Sequence, residues 1–239
     1  MKTLKIFFIT VISIAITACV NGQIRHSVYG NHKVVKQERP AGYFNEIRVS
    51  TGIDAYLRQG DKESISVEAD ENLQEHIKTE INGNVLNIYC DANIREAKSE
   101  NVYVTIKDVK SLKTSSAGNI VGQSPVNTGD IELTASSAGD IKLEVNAKSI
   151  KVDISSSGNI TLNGAAEKLD AELSSAGDLN AYQLAVKEAD ISVSSAGDAD
   201  VNVSEKLTAR ASSAGDINYM GDPKFIDSHS SSAGGIHKR

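Results

Sequence analysis

Carboxylate and amide side chains return at nearly regular intervals in the second half of the chain, each directly after a glycine. They are Asn119, Asp140, Asn159, Asp178, Asp198 and Asp216. If these residues stack in one column, neighbouring carboxylates lie about 5 Å apart and repel one another. Calcium is then the natural candidate for a site made only of oxygen ligands. The spacing differs from the Gly-Gly-x-Gly-x-Asp repeat of calcium-binding β-rolls. We therefore favour a structural column, in which each Asp hydrogen-bonds its own turn, and predict no metal site.

A second set of carboxylates could supply general acid and base groups. On neighbouring turns they would form the pair that polysaccharide-cleaving enzymes use, and they are Asp153, Asp170, Glu172 and Asp190. Such sites also need basic and aromatic groups in a groove. The repeat region has no Trp, few Tyr and few Arg, and its histidines, His229 and His237, lie at the end of the chain. We find no nucleophile–base pair, and we predict a protein that is not an enzyme, with no catalytic residues and no cofactor.

The elements that position these side chains are set by a repeated phrase, Ser-Ser-Ala-Gly-Asp in its commonest form. Its glycines are 18 to 21 residues apart, and they are Gly118, Gly139, Gly158, Gly177, Gly197, Gly215 and Gly234. Apolar and polar residues alternate on both sides of each phrase, which is the period of a half-buried strand. A unit of about 19 residues cannot bury its apolar face alone, but stacked copies can. We therefore predict an all-β fold, a parallel right-handed β-solenoid (β-helix), in which each glycine adopts a backbone conformation that a Cβ would strain.

Two other architectures share some of these features. An antiparallel sandwich of hairpins would show the same alternation, but hairpin turns favour Asn-Gly or Asp-Gly. Here the order is Gly-Asp, inside a polar corner of five residues. A β-propeller blade needs about 40 residues, twice the observed period. The solenoid is therefore the preferred architecture, and the sandwich is the alternative.

The alternation of strands is interrupted once in the first half of the chain. Asp70 fits the N-cap of a helix, and Leu73 and Ile77 have the i, i+4 spacing of one helix face. We therefore predict one short helix near residues 70–80. Alternation resumes after it and puts Cys90 on the apolar face of a strand, so we predict that this thiol is buried and unreactive.

The first residues have the composition of a secretory signal. Two lysines precede an apolar run at residues 6–16 that is too short for a permanent membrane span. The Ile-Thr-Ala-Cys sequence that ends at Cys19 resembles a bacterial lipobox, in which the Cys is lipidated. An ordinary secretory signal cut near Ala18 is the alternative. Val20 is not the Asp of an inner-membrane retention signal, so we predict an outer-membrane lipid anchor and leave open which side the protein faces.

These signals divide the chain into four parts. They are a signal peptide (1–18), a lipidated tether (19–39), an N-terminal part of the solenoid with the short helix (40–113), and the repeat part of the solenoid (114–239).

The strings "GIDAYLRQGDKESISVEADENLQEHIKTEINGNVLNIYC" and "NVYVTI", followed by the "SSAGDI" repeats, carry a family resemblance. Together they closely resemble the putative auto-transporter adhesin, head GIN domain family, mostly secreted or lipid-anchored proteins of Bacteroidetes-type bacteria. The resemblance covers about residues 40–235. It implies a β-helical fold and, by analogy, adhesion. It carries over no catalytic residues.

The net charge and the outward-facing residues limit which binding partners the protein can have. The formal net charge is −6 without a basic patch, which argues against nucleic-acid binding. A rod on a lipid anchor presents a long polar face, so we predict a cell-envelope adhesin that binds surface glycans or proteins. A structural scaffold without a ligand is the alternative, and a polysaccharide-acting enzyme is less favoured. The oligomeric state is left open. We expect Lys238 and Arg239 to hinder end-to-end stacking of two rods.

Overall fold

The computed structural model describes residues 26–239, an all-β chain with 66% of its residues in strands. The strands of the first half are β1 (Ser27–Tyr29), β2 (Val34–Arg39), β3 (Glu46–Val49), β4 (Asp54–Gln59), β5 (Ser64–Asp70), β6 (Ile77–Asn82), β7 (Val85–Cys90), β8 (Asn93–Glu96), β9 (Glu100–Ile106) and β10 (Ser111–Thr114). Those of the second half are β11 (Asn119–Gly122), β12 (Val126–Asn127), β13 (Asp130–Ser136), β14 (Asp140–Ser155), β15 (Asn159–Leu173), β16 (Asp178–Val193), β17 (Asp198–Ala211), β18 (Asp216–Met220), β19 (Phe225–Ser230) and β20 (Gly235–Lys238).

The strands coil into a solenoid of about seven turns with about 19 residues per turn. Each repeated corner separates two stacks of parallel strands. Stack 1, before the corners, contains β7, β3, β10, β13, the second parts of β14 to β17, and β19. Stack 2, after the corners, contains β9, β4, β11, the first parts of β14 to β17, β18 and β20. The predicted β-solenoid is confirmed, and the pairing excludes the antiparallel sandwich.

Register between the turns puts like residues above one another in the core. Ile141 pairs with Ile160, and Ile160 pairs with Leu179 in the next turn. All three are buried. Because neighbouring strands lie about 4.8 Å apart, each apolar side chain contacts its equivalents above and below, which a single turn could not supply. Cys90 is buried in the same core, as the alternation predicted.

Antiparallel strands cover the N-terminal end of the solenoid. β5 pairs with β9 and β2 pairs with β5 at the end of stack 2, and β6 pairs with β7 at the end of stack 1. β1 and β8 form a separate parallel pair. These additions occupy strand edges that would otherwise be unpaired. The segment predicted as a tether, 19–39, therefore contributes β1 and β2 to the folded part.

The predicted short helix near residues 70–80 is wrong. Helical backbone there is limited to one 3-10 turn at Glu71–Leu73. The chain then becomes strand β6, which turns at Gly83 (φ 64°) and pairs with β7. An apolar pair at i, i+4, such as Leu73 and Ile77, also fits a turn followed by a strand, so its spacing could not discriminate between them.

Asp70 is a buried anchor rather than a helix cap. Its side chain makes no capping hydrogen bond to the 3-10 turn, and the residue is 0% exposed. The carboxylate instead accepts hydrogen bonds from the backbone N–H groups of His32 (2.8 Å), Lys98 (3.2 Å) and Ser99 (3.3 Å). A Cβ on Gly30 would overlap the Asp70 Oδ2 atom. Asp70 thus joins the segment between β1 and β2 to the one between β8 and β9.

The last turn, formed by β19 and β20, is exposed. Phe225 is 70% exposed, and every residue of β19 is exposed. Ser228 and Ser230 take core-facing positions that alanines fill in the turn before. The Lys238 ammonium group donates a hydrogen bond to the Asp222 carboxylate, which raises the pKa of Lys238. Polar residues at core-facing positions are typical of a capping turn in a solenoid.

Candidate ligand-binding site

The repeated corner is a four-residue turn that ends at the glycine, as in Ser155–Gly158. In all seven repeats the glycine N–H donates to the carbonyl of the first corner residue, at 2.9 to 3.3 Å. The second and third corner residues have φ between 49° and 62°, the sign pattern of a type I′ turn. Positive φ costs a non-glycine residue about 1–2 kcal/mol. The corner is therefore stabilised by contacts between turns and not by the preferences of its own residues.

The corner glycine does not have the role predicted for it, because none of the seven glycines has a positive φ. Their missing side chains would point into the preceding turn. A Cβ on Gly158 would lie 2.5 Å from the Ala135 carbonyl oxygen, and a Cβ on Gly234 would lie 2.6 Å from the Ala211 carbonyl carbon. Contacts this short do not occur with real side chains. Glycine is required here for the close approach of two backbones.

A column of peptide hydrogen bonds joins the corners along the solenoid axis. The N–H of the third corner residue donates to the carbonyl of the second residue in the next corner, as from Ala117 to Ser137 at 3.0 Å. The column begins at Gly52, whose N–H donates to the Ser116 carbonyl at 3.0 Å. Ser50–Ile53 is thus an eighth corner that sequence reasoning missed. The available signal was a Ser-x-Gly turn between two alternating segments.

The Asp and Asn residues that follow the corners lie in register. We call this column the ladder. Asn119 Nδ2 donates to Asp54 Oδ1 at 2.6 Å, and Asn159 Nδ2 donates to Asp140 Oδ1 at 2.7 Å. Amides alternate with carboxylates over its first six positions. Sequence reasoning missed the first two members of the column, which comprises Asn101, Asp54, Asn119, Asp140, Asn159, Asp178, Asp198, Asp216 and Gly235.

The C-terminal part of the ladder lacks amides. Burial raises the pKa of Asp178, with a further contribution from Asp200. Burial, and then the Asp178 and Asp216 carboxylates, raise the pKa of Asp198. Between residues 26 and 239 no group of three or more His, Cys, Asp or Glu side chains is arranged to hold a metal ion. Repulsion between carboxylates is therefore concentrated at this end of the ladder.

A groove of about 510 Å³ lies beside the N-terminal half of the ladder, on the outer face of stack 2. We call it the tyrosine groove. Tyr56 stacks on Tyr103 with ring centroids 5.2 Å apart and planes at 21°. Burial, and then the Asp54 carboxylate, raise the pKa of Tyr56. The groove thus combines one aromatic wall with polar side chains, and its lining includes Asp54, Tyr56, Asn119, Val121, Asp140, Lys142 and Asn159.

A second groove, of about 530 Å³, lies on the other side of the corners, on the outer face of stack 1. We call it the serine groove, because first residues of several corners line it. Outward side chains of stack 1 form its other wall, among them Glu172, Arg210 and His229. None of the described residues that line it is a Tyr or Phe. The groove therefore offers hydroxyl and charged groups but no aromatic face.

The predicted carboxylate pairs do form across neighbouring turns. Asp153 is the register partner of Glu172, and Asp170 is the register partner of Asp190. Arg210 Nη1 lies 3.0 Å from Asp190 Oδ1, so an ion pair engages this carboxylate. Asp153 and Glu172 line the groove described above, in which the described residues include no Tyr or Phe, so this pair lacks the aromatic wall that is typical of a ligand pocket.

Cys19 and the predicted signal peptide lie outside the residues that the structure describes. Along residues 26–239, no helix has the length and apolar character needed to cross a bilayer.

A family comparison agrees with this architecture. Residues 43–223 match the family described as "Putative auto-transporter adhesin, head GIN domain". The chain belongs to this family. The matched segment of the head GIN domain contains the tyrosine groove and the ladder as far as Asp216, so both lie in the part of the chain that defines the family.

Several solved structures share the fold of this head GIN domain. A putative adhesin from Bacteroides fragilis is 18% identical, with a TM-score of 0.81 over 89% of this chain and 100% of that one. A putative adhesin from Parabacteroides merdae is 23% identical, with a TM-score of 0.74 over 90% of this chain and 99% of that one. A putative lipid binding protein from Parabacteroides distasonis is 23% identical, with a TM-score of 0.72 over 89% and 99%. At these identities the likeness shows the fold alone. No curated protein matches the chain.

Proposed function

We propose that this head GIN domain protein is a non-enzymatic adhesin of the cell envelope that binds surface glycans or proteins along the outside of its solenoid. Its family and fold are those of proteins named as adhesins. In this proposal Cys19 carries a lipid anchor in the outer membrane. The anchor would lie near the N-terminal end of the rod, because β1 begins at Ser27.

The observation that carries the proposal is the continuous register of outward polar groups. The polar side chains of the ladder occupy eight consecutive strands, from Asn101 to Asp216, which corresponds to about 34 Å along the axis. A linear partner that lies along such a face meets similar groups at regular steps. Several weak contacts then add up to a useful avidity without one deep pocket.

The outward charges favour this reading over catalysis. Lys151 Nζ lies 3.8 Å from Asp153 Oδ2, and Lys168 Nζ lies 3.8 Å from Glu188 Oε2. Opposite charges therefore neutralise much of the outer face of stack 1. Such a surface keeps the rod soluble. Ligand recognition then depends on positions where the pairing of opposite charges is interrupted.

An array experiment tests the proposal. The purified full-length chain in detergent would be applied to printed glycans and extracellular-matrix proteins, with and without calcium. We expect saturable binding to at least one class that does not need calcium. The heat-unfolded chain is the matched control for nonspecific adsorption. If the folded chain binds no more than the unfolded control, adhesion is refuted and the scaffold without a ligand becomes the better explanation.

A further inference from the structure

The tyrosine groove begins at a stack of rings that ends abruptly. Tyr103 and Tyr56 are register partners on neighbouring strands, so their stack runs along the solenoid axis. Lys36 Nζ lies 4.8 Å from the centre of the Tyr103 ring, a cation–π contact that extends the same surface. The next register partner in this column is Val121. A valine side chain is too small to continue the stack, so the second face of Tyr56 borders the groove.

The far wall of the groove is formed one turn later. Val121 is the register partner of Lys142, which is exposed and makes no ion pair with any residue among 26–239. The distance from the Tyr56 strand to the Lys142 strand is about two strand spacings, or about 9.6 Å. The space between them is wide enough for one ring that lies parallel to the tyrosine face.

The side wall of the groove is the ladder. Asp54 and Asp140 each accept one amide hydrogen bond at Oδ1, and both carboxylates line the groove. Free carboxylate oxygens accept hydrogen bonds from hydroxyl groups, and an ammonium group such as that of Lys142 donates them. The groove therefore matches a ligand with an apolar ring face and a hydroxyl-rich rim.

We propose that the tyrosine groove binds a neutral glycan, with one sugar ring stacked on Tyr56 between that residue and Lys142. The inference rests on the proposed adhesin function and assigns it a site. The ligand is neutral because two carboxylates face one ammonium group in the groove, so a polymer that bears carboxylates or sulfates is repelled. The serine groove has no aromatic wall, and the inference gives it no part in this binding.

Two substitutions test the site from opposite directions. Tyr56→Ala removes the platform, whereas Val121→Tyr adds a third ring that fills the space above it. The first substitution weakens the aromatic stack and the second extends it, so the two would have opposite effects if the stacked tyrosines had a purely structural role. If the groove is the ligand site, both variants lose binding. Tyr56→Phe keeps the ring, and Tyr89→Ala removes a tyrosine from the outer face of stack 1 as the matched control.

The full-length protein and the four variants would be applied in detergent to an array of neutral hexose and N-acetylhexosamine oligosaccharides, uronic-acid oligosaccharides and sulfated oligosaccharides. The dissociation constant would be measured for the neutral oligosaccharide with the strongest wild-type signal. We expect Tyr56→Ala and Val121→Tyr to raise it about three- to tenfold, which corresponds to about 0.6–1.4 kcal/mol of binding free energy. We expect Tyr89→Ala to change it less than about twofold, and Tyr56→Phe, which keeps the ring, to raise it less than Tyr56→Ala does.

The outcomes separate the inference from the function on which it rests. If the wild type binds proteins or acidic glycans and the four variants bind alike, the adhesin remains and the tyrosine site is overturned. The site is also overturned if Tyr89→Ala weakens neutral-glycan binding as much as Tyr56→Ala does. If the wild type binds nothing on this array or on a protein array, both the site and the adhesin function fall.

Discussion

The ladder has two parts that differ in the order of their Asp and Asn residues. In its N-terminal part each carboxylate is followed by an amide, and Asn159 donates to Asp140 at 2.7 Å. In its C-terminal part Asp178, Asp198 and Asp216 follow one another without an amide. Asp198→Asn would restore the alternation at the position with two carboxylate neighbours. We predict that this single substitution stabilises the folded chain.

The size of the effect follows from the spacing. Two unit charges about 4.8 Å apart in water repel by about 0.9 kcal/mol, so two neighbours give about 1.7 kcal/mol. Asp198 is only partly buried, so solvent and salt reduce this sum to about 1 kcal/mol. An amide hydrogen bond to Asp178 adds about 0.5–1 kcal/mol. The expected gain in the free energy of unfolding is therefore about 1–2 kcal/mol at pH 7. The reverse change, Asn159→Asp, is expected to cost a similar amount.

The gain in stability is expected to depend on pH with a definite sign. Burial and the neighbouring carboxylates raise the pKa of Asp198, so the folded chain binds this proton more tightly than the unfolded chain does. The wild type therefore loses stability as the pH rises through the pKa of the folded state, whereas the amide in the Asp198→Asn variant has no proton to lose. The advantage of Asp198→Asn is expected to be largest at pH 7 and to shrink below about pH 4, near the ordinary pKa of Asp.

Urea titration followed by far-ultraviolet circular dichroism measures the effect, at pH 7 and about pH 3.5, below the ordinary pKa of Asp, and in low and high salt. The matched control is Asp130→Asn, which removes the same charge from an exposed position whose register partner is Ser149. Equal gains for Asp198→Asn and Asp130→Asn would show that net charge, and not the ladder, sets the stability. A loss of stability for Asp198→Asn that appears only with calcium would refute the structural column and favour a metal site.

Three further predictions concern the repeated corner and the proposed lipid anchor at Cys19. Gly158→Ala lowers the free energy of unfolding by about 1–3 kcal/mol, because its Cβ meets the Ala135 carbonyl oxygen, and urea titration measures the loss. Ala176→Gly raises the free energy by about 0.5–1 kcal/mol, because Ala176 has a φ of 58°, and a loss in the same assay would contradict the strain assigned to this position. Cys19→Ser moves the protein from the membrane fraction to the soluble fraction on immunoblots, and an unchanged distribution would rule out the lipid anchor.

The period of the solenoid could be predicted from the sequence because its cause is local to each turn. Small residues recur where corners stack, and apolar residues recur where the core is. The backbone role of each corner residue could not be predicted in the same way. Glycine usually marks a positive φ, but in Ser155–Gly158 the two serines at the centre adopt it and Gly158 does not. Packing against the preceding turn decides this, and the sequence of one corner contains no information about its neighbour's backbone.

The first half of the chain was harder to predict because its partners are distant in sequence. Alternation identifies β2, β5 and β9 as strands, but it does not say that β9 inserts between β4 and β5. That insertion makes Tyr56 and Tyr103 register partners although they are distant in sequence, and it creates the wall of the tyrosine groove. The prediction of a short helix failed in the same region, where no repeat supplied a second copy for comparison.

These observations indicate where recognition is located in a repeat of this kind. A corner that stacks on its own copies must keep the same residues, and core positions must stay apolar, so neither can be adapted to a ligand. Outward positions beside the corners are free to change from turn to turn. The column that contains Tyr103, Tyr56, Val121 and Lys142 changes from aromatic to aliphatic to charged, whereas the ladder beside it repeats. A specific ligand is therefore expected to contact the irregular column and to make regularly spaced polar contacts with the ladder. For this reason the decisive tests are the substitution that removes a ring at Tyr56 and the one that adds a ring at Val121.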